Sequence, residues 1–117
     1  MDRKTYRKQY KKRYKVFGEV LQSIRKQQVN ISQVELAKRL SMKQSYVSKT
    51  ETGERRLDIM ELMEYCNAMD LCLTDFIFRL EWRLSSAKLI SPKRQKQIKR
   101  WNDIYDILYK KESLTKK

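Results

Sequence analysis

The sequence predicts an all-α fold: a five-helix domain with a basic helical arm before it and one extra helix after it. Three observations predict it. Only two Gly and one Pro punctuate 117 residues, too few for the turns of a strand-rich chain. Apolar residues recur at steps of three and four along most of the chain, the spacing of one helix face. Helix-start residues (Ser32, Asp58 and Ser91) stand ahead of those stretches.

Tyr6, Tyr10, Tyr14, Phe17, Leu21 and Ile24 share the first face. They predict a helix from about Val16 to Gln28, with an extension back toward Tyr6 that is either helical or disordered. Gly18 interrupts it, at a cost of ~1 kcal/mol relative to Ala. Val29 and Asn30 close it, because Asn tolerates the left-handed conformation. Ser32 followed by Glu35 predicts a capping box. It opens a second helix that ends near Ser41, with Val34, Leu36, Ala37 and Leu40 on its apolar side. The third helix runs from about Gln44 to Glu51 and stops at Gly53. Its apolar edge is thin (Tyr46, Val47, Thr50), and Gln44, Ser45, Ser48 and Lys49 face outward. A helix with so little to bury suits a groove better than a core.

Asp58 opens a fourth helix reaching about Met69, with Ile59, Leu62, Met63, Cys66 and Met69 at helical spacing. Met60, Met63 and Met69 read as adaptable core. The fifth begins at Thr74 or Asp75 and carries Phe76, Ile77, Leu80 and Leu84. Ser91-Pro92 is a strong start signal for the last helix. That helix reaches about Lys110, with Ile98, Trp101, Ile104, Tyr105 and Leu108 on one side; Ser113 to Lys117 should fray.

The net charge is +14, and it is segregated. Residues 1–18 carry eight Lys/Arg and one acid, and residues 84–117 carry ten and three. The middle is neutral overall, with +5 over 25–56 and −4 over 57–83. A neutral core between basic flanks points to a polyanion, because cations displace counterions from phosphate. Cys66 and Cys72, with no His in the chain, cannot make a four-ligand zinc site. They read as two reduced, buried thiols. The apolar runs are short of a membrane span, and the N-terminus lacks the apolar stretch of a secretion signal. A cytoplasmic location and no membrane partner are expected. With no His, no Gly-rich phosphate loop and no nucleophile–base constellation, the chain does not read as an enzyme. No catalytic residue, metal or cofactor is expected.

The stretch from Gln33 to Gly53 resembles the helix-turn-helix of the phage repressor and Cro family, also called the xenobiotic-response-element family. Gln33, Leu36-Ala37, Gln44, Val47, Glu51 and Gly53 stand at the positions of its pattern, and the resemblance runs from about Phe17 through the fifth helix. Three departures stand out. Ser41 replaces the usual turn Gly and should carry strained dihedrals. Lys43 replaces a Ser or Thr cap, which suits a phosphate contact. The loop after the first helix is one residue longer than usual.

The resemblance implies a lambda-repressor-like domain over 16–84, a basic N-terminal arm over 1–15 and a basic helical extension over 85–117. It implies a sequence-specific transcriptional regulator of double-stranded DNA, expected to be a repressor, bacterial or phage-encoded and nucleoid-associated, acting as a homodimer on an inverted repeat. Gln44, Ser45, Lys49 and Ser48 would read bases, since an amide can donate and accept at once against adenine, and an ammonium can donate to guanine. Gln33, Lys43, Tyr46, Thr52, Arg55 and Arg56 would touch phosphate. Tyr46 could equally pack, and the Arg pair could equally be solvated. Arg25 and Glu51 would form a structural pair joining the first helix to the end of the third. The dimer surface is expected from the fifth or last helix, through Phe78, Leu84, Trp101, Ile104 or Leu108. Two other readings stand beside this one. One is an antitoxin-like or bridging module that binds a protein partner. The other is RNA or membrane binding through the Tyr- and Lys-rich arm.

Overall fold

The computed structural model describes residues 1–115; the side chains of Tyr105 and of residues 108–117 lie outside the described set. The chain is all-α. Its elements are α1 (Arg3–Ser23), a π-helical segment (Ile24–Val29), α2 (Gln33–Arg39), α3 (Gln44–Thr52), α4 (Ile59–Ala68), α5 (Leu73–Ser86) and α6 (Pro92–Thr115).

α1 is one unbroken helix, capped by the Asp2 carboxylate, which accepts the Thr5 N–H at 2.8 Å. An aromatic ladder holds the N-terminal half in register. Tyr6, Tyr10, Tyr14 and Phe17 follow one another at centroid distances of 6.1, 5.1 and 5.5 Å, and Phe17 meets Phe76 of α5 edge-on at 5.5 Å. The ladder feeds straight into the core, so the extension is helical. Gly18 does not break the helix; it lets α3 cross close by.

The extra residue expected in the first loop widens the helix end instead. A π turn takes one more residue than an α turn, and the π segment continues to Val29, where Asn30 ends it in the left-handed conformation at φ 57°. At α2 the capping box is only half formed. Ser32 Oγ accepts the Glu35 N–H at 3.1 Å, while the Glu35 carboxylate turns to Arg39 at 3.6 Å. The complete box is at Asp58 and Glu61, opening α4. Ser41 takes a positive φ of 55° in the turn between α2 and α3, as its place in the pattern requires.

α1 lies behind α3 and α5, and α2 packs against α3. Leu21, Leu36, Val47, Tyr65, Cys66 and Phe76 are fully buried between them. Ile98 anchors α6 against this body, helped by Arg94–Glu81 at 3.2 Å. α6 continues past the expected end at Lys110 to Thr115; residues 116 and 117 lie outside the described residues.

Several core expectations are corrected. Ile59, Met60 and Met63 are exposed, Met60 at 63%. The line of α4 that meets the core is Leu62, Tyr65, Cys66 and Met69, so Met69 is core as expected while the line is rotated from Ile59, Met60 and Met63. Val34 is exposed as well, in the first turn of α2. Cys66 is buried, which pushes its thiol up to about 11. Cys72 is exposed, because it is the residue before α5 and lies in extended backbone outside the helix's apolar face.

Candidate nucleic-acid interface

Glu51 sits in the last turn of α3, facing inward, and arginine is the side chain whose flat fork matches a carboxylate. Arg25, in the π segment, donates from Nε to Glu51 Oε2 at 2.6 Å and from its second nitrogen to Oε1 at 3.0 Å. Its third nitrogen donates to the Ile31 carbonyl at 2.8 Å. Both side chains are nearly sealed from solvent, at 6% and 2% exposure. The hydrogen bonds to Glu51 hold the guanidinium above its usual range despite the opposing effect of burial. This pair ties α1's continuation, the following loop and the end of α3 into one unit.

The pair also orders the surface above it. Gln33, the first residue of α2, donates its amide nitrogen to Glu51 Oε1 at 2.9 Å. An ionised carboxylate only accepts, so the Gln33 amide is oriented with its oxygen outward. That oxygen accepts from the Gln44 amide nitrogen at 3.4 Å. Gln44 is therefore oriented in turn, with its own oxygen and its second N–H free at the exposed start of α3. An oxygen beside an N–H is the pattern that the major-groove edge of adenine complements.

Gln44, Ser45 and Lys49 are exposed together on the outer face of α3, and Ser48 is half-buried at its edge. Lys43 is the residue before the helix, exposed, with no side-chain cap on the helix start. Thr52 is exposed at the far end, its hydroxyl donating to the Lys49 carbonyl at 3.1 Å. The hydroxyl of Thr50, in the interior of α3, donates to the Tyr46 carbonyl at 2.7 Å. Tyr46 is half-buried. Its ring lies 6.4 Å from that of Tyr65 and carries Arg55 at 4.6 Å on its face. Arg55 also reaches Glu61 at 3.2 Å. Arg56 stacks over Tyr10 at 4.7 Å and Tyr14 at 5.3 Å. Both loop arginines thus have partners within the chain: Arg55 uses its face on Tyr46 and part of its edge on Glu61, and Arg56 stacks by its face.

Two residues escape sequence reasoning. Tyr65 is fully buried beneath Tyr46, and burial, followed by the nearby Glu51 charge, raises its phenol far above the usual range. Its hydroxyl has no hydrogen-bond partner among the described residues. Its place one turn from Leu62 and Met69 is the signal that could have found it. Gly18 reads in the sequence only as an interruption. A Cβ there would lie 2.8 Å from the Thr50 carbonyl oxygen and closer still to that of Glu51.

A helix-turn-helix family model matches residues 21–76. Among solved structures the chain is similar to an XRE-family like protein from Pseudomonas syringae pv. tomato str. DC3000. The two are 36% identical over 66% of this chain and 93% of that one, with a TM-score of 0.59. No curated protein matches.

Proposed function

The chain belongs to the XRE family of helix-turn-helix proteins, a family of DNA-binding transcription regulators, and from that premise we propose that it reads duplex DNA through α3 as a homodimer on an inverted repeat and represses transcription. The observation that carries the reading is the hydrogen-bond relay from Arg25 through Glu51 and Gln33 to Gln44. A side chain whose donor and acceptor are fixed before binding loses little freedom when it meets a base. Ser45 and Lys49 extend the reading face, and Ser48 borders it. Lys43, beside an uncapped helix start, suits a phosphate: the amides and the dipole of α3 would act with its ammonium. Gln33 and Thr52 flank the same face. Tyr46, Arg55 and Arg56 would offer polar edges to the strand that passes the end of α3.

One such module reads few base pairs, so two half-sites about one turn, ~10 bp, apart supply the specificity. Trp101 and Ile104 are exposed on α6, and Phe78 and Leu84 are half-buried on α5; they are the proposed dimer surface. The side chain of Leu108 lies outside the described set. Binding to genomic DNA would place the protein in the cytoplasm. No helix among the described residues is long and apolar enough to cross a membrane. The exposed Trp101, Ile104 and Ile107 also support a second reading, in which α6 holds a protein partner. Sedimentation of the purified chain separates the two, since only a self-association surface yields a dimer without that partner.

Replacing Gln44 with alanine should relax preference at one base position by ~1–3 kcal/mol and leave the melting temperature unchanged. Competition between matched and single-substituted duplexes reads the first effect, and circular dichroism the second. Full retention of base preference would show that α3 is not aligned on the DNA as proposed.

A further inference from the structure

The face that α1 turns toward α3 is marked by Gly18, where the two backbones touch. Followed toward the N-terminus at helical spacing, the same face carries Lys15, Lys11, Arg7 and Lys4, at three, seven, eleven and fourteen residues before Gly18. All four are exposed, and none takes part in a salt bridge among the described residues. α3 does not cover this line. It ends at Gly53, whose Cβ, if it had one, would lie 2.9 Å from the Tyr14 carbonyl oxygen. Beyond that point α1 runs on past the end of α3, with the stripe on the side of the helix that Gly18 turns toward α3.

From this we infer that the N-terminal half of α1 is a second DNA-contact surface, a rigid basic rail that takes phosphodiester groups on the strand flanking the end of α3. The inference rests on the reading of α3 as the groove helix. The rail is fixed to the body rather than loose. Arg56 stacks on Tyr10 and Tyr14, and Arg13 Nε donates to the Leu89 carbonyl at 2.8 Å. Its length suits the task. Lys4 to Lys15 spans ~16 Å at ~1.5 Å per residue, and duplex DNA presents one charge per ~1.7 Å of its axis. The charge pattern points the same way. Arg7–Lys11 and Lys11–Lys15 are like-charge pairs four apart, which weaken an isolated helix. A polyanion relieves that repulsion, whereas a solvated face with mixed charges would not carry it.

The test uses the full chain with K4Q/R7Q/K11Q/K15Q, and as a charge-matched control K93Q/K96Q/K99Q/R100Q on α6. Binding to a random-sequence duplex is titrated by fluorescence anisotropy across a potassium chloride series. The rail variant should lower the slope of log affinity against log salt by about three to four, at ~0.9 per phosphate contact. The α6 control should lower it by about one at most. Affinity for a selected duplex should fall by the same factor as for the random one, because phosphate contacts carry no base information. Gln keeps helix propensity, and circular dichroism should show the rail variant folded. An all-arginine version of the four sites should restore the slope. Equal slopes for rail variant and control would overturn the rail and leave the α3 reading intact. A wild-type chain with no salt-dependent duplex binding would overturn both. Loss of binding to phosphatidylserine vesicles with an unchanged DNA slope would assign the stripe to a membrane surface instead and overturn the proposal.

Discussion

Gly18→Ala is expected to destabilise the protein by about 3 kcal/mol or more, the upper end of what overpacking costs. In an ordinary exposed helix position the same change stabilises by ~1 kcal/mol, so the sign itself is diagnostic. The added methyl would meet two backbone carbonyls, of Thr50 and Glu51. A flexible side chain could swing away, but a helix backbone cannot. α1 and α3 would have to separate, and that would draw Glu51 from Arg25 and Gln33. Urea denaturation of wild type and variant measures the loss. A variant as stable as wild type would mean that the two helices do not cross this closely.

Arg25→Met should cost about 3–5 kcal/mol, because it leaves the Glu51 carboxylate buried without its partner. The loss reflects the abandoned charge more than the strength of the pair. R25M/E51L should therefore be more stable than R25M alone, which a double-mutant cycle detects. The same double variant should have lost base preference, since Gln33 no longer has a carboxylate to orient it and Gln44 no longer has an oriented Gln33. A loss below ~1 kcal/mol for R25M would place the pair among weak surface bridges.

The fold was legible because the elements are amphipathic and well punctuated. Asn30 and Gly53 end their helices in left-handed conformations, and Ser41 takes the turn conformation where the pattern has Gly. The proximity of Arg25 and Glu51, 26 residues apart, came from the helix-turn-helix pattern; no periodicity could have given it. What periodicity misjudged was depth. Ile59, Met60 and Met63 are apolar and helically spaced, yet a single helix face does not say how far the neighbouring elements reach over it. The π segment was invisible because an extra residue can lengthen a loop or widen a helix, and the two look alike in sequence. The stack of Arg56 on Tyr10 and Tyr14 joins a loop to a helix about forty residues away, and only the packed structure brings those groups together.

Selection of bound duplexes from a random pool tests the central claim most directly, because every candidate site competes in it on equal terms. The expected result is enrichment of an inverted repeat, with half-sites about one helical turn, ~10 bp, apart and an adenine in each half that is lost when the selection is repeated with Gln44→Ala. A pool that stays random with the wild-type chain, or that enriches the same sequence with and without Gln44, would contradict it.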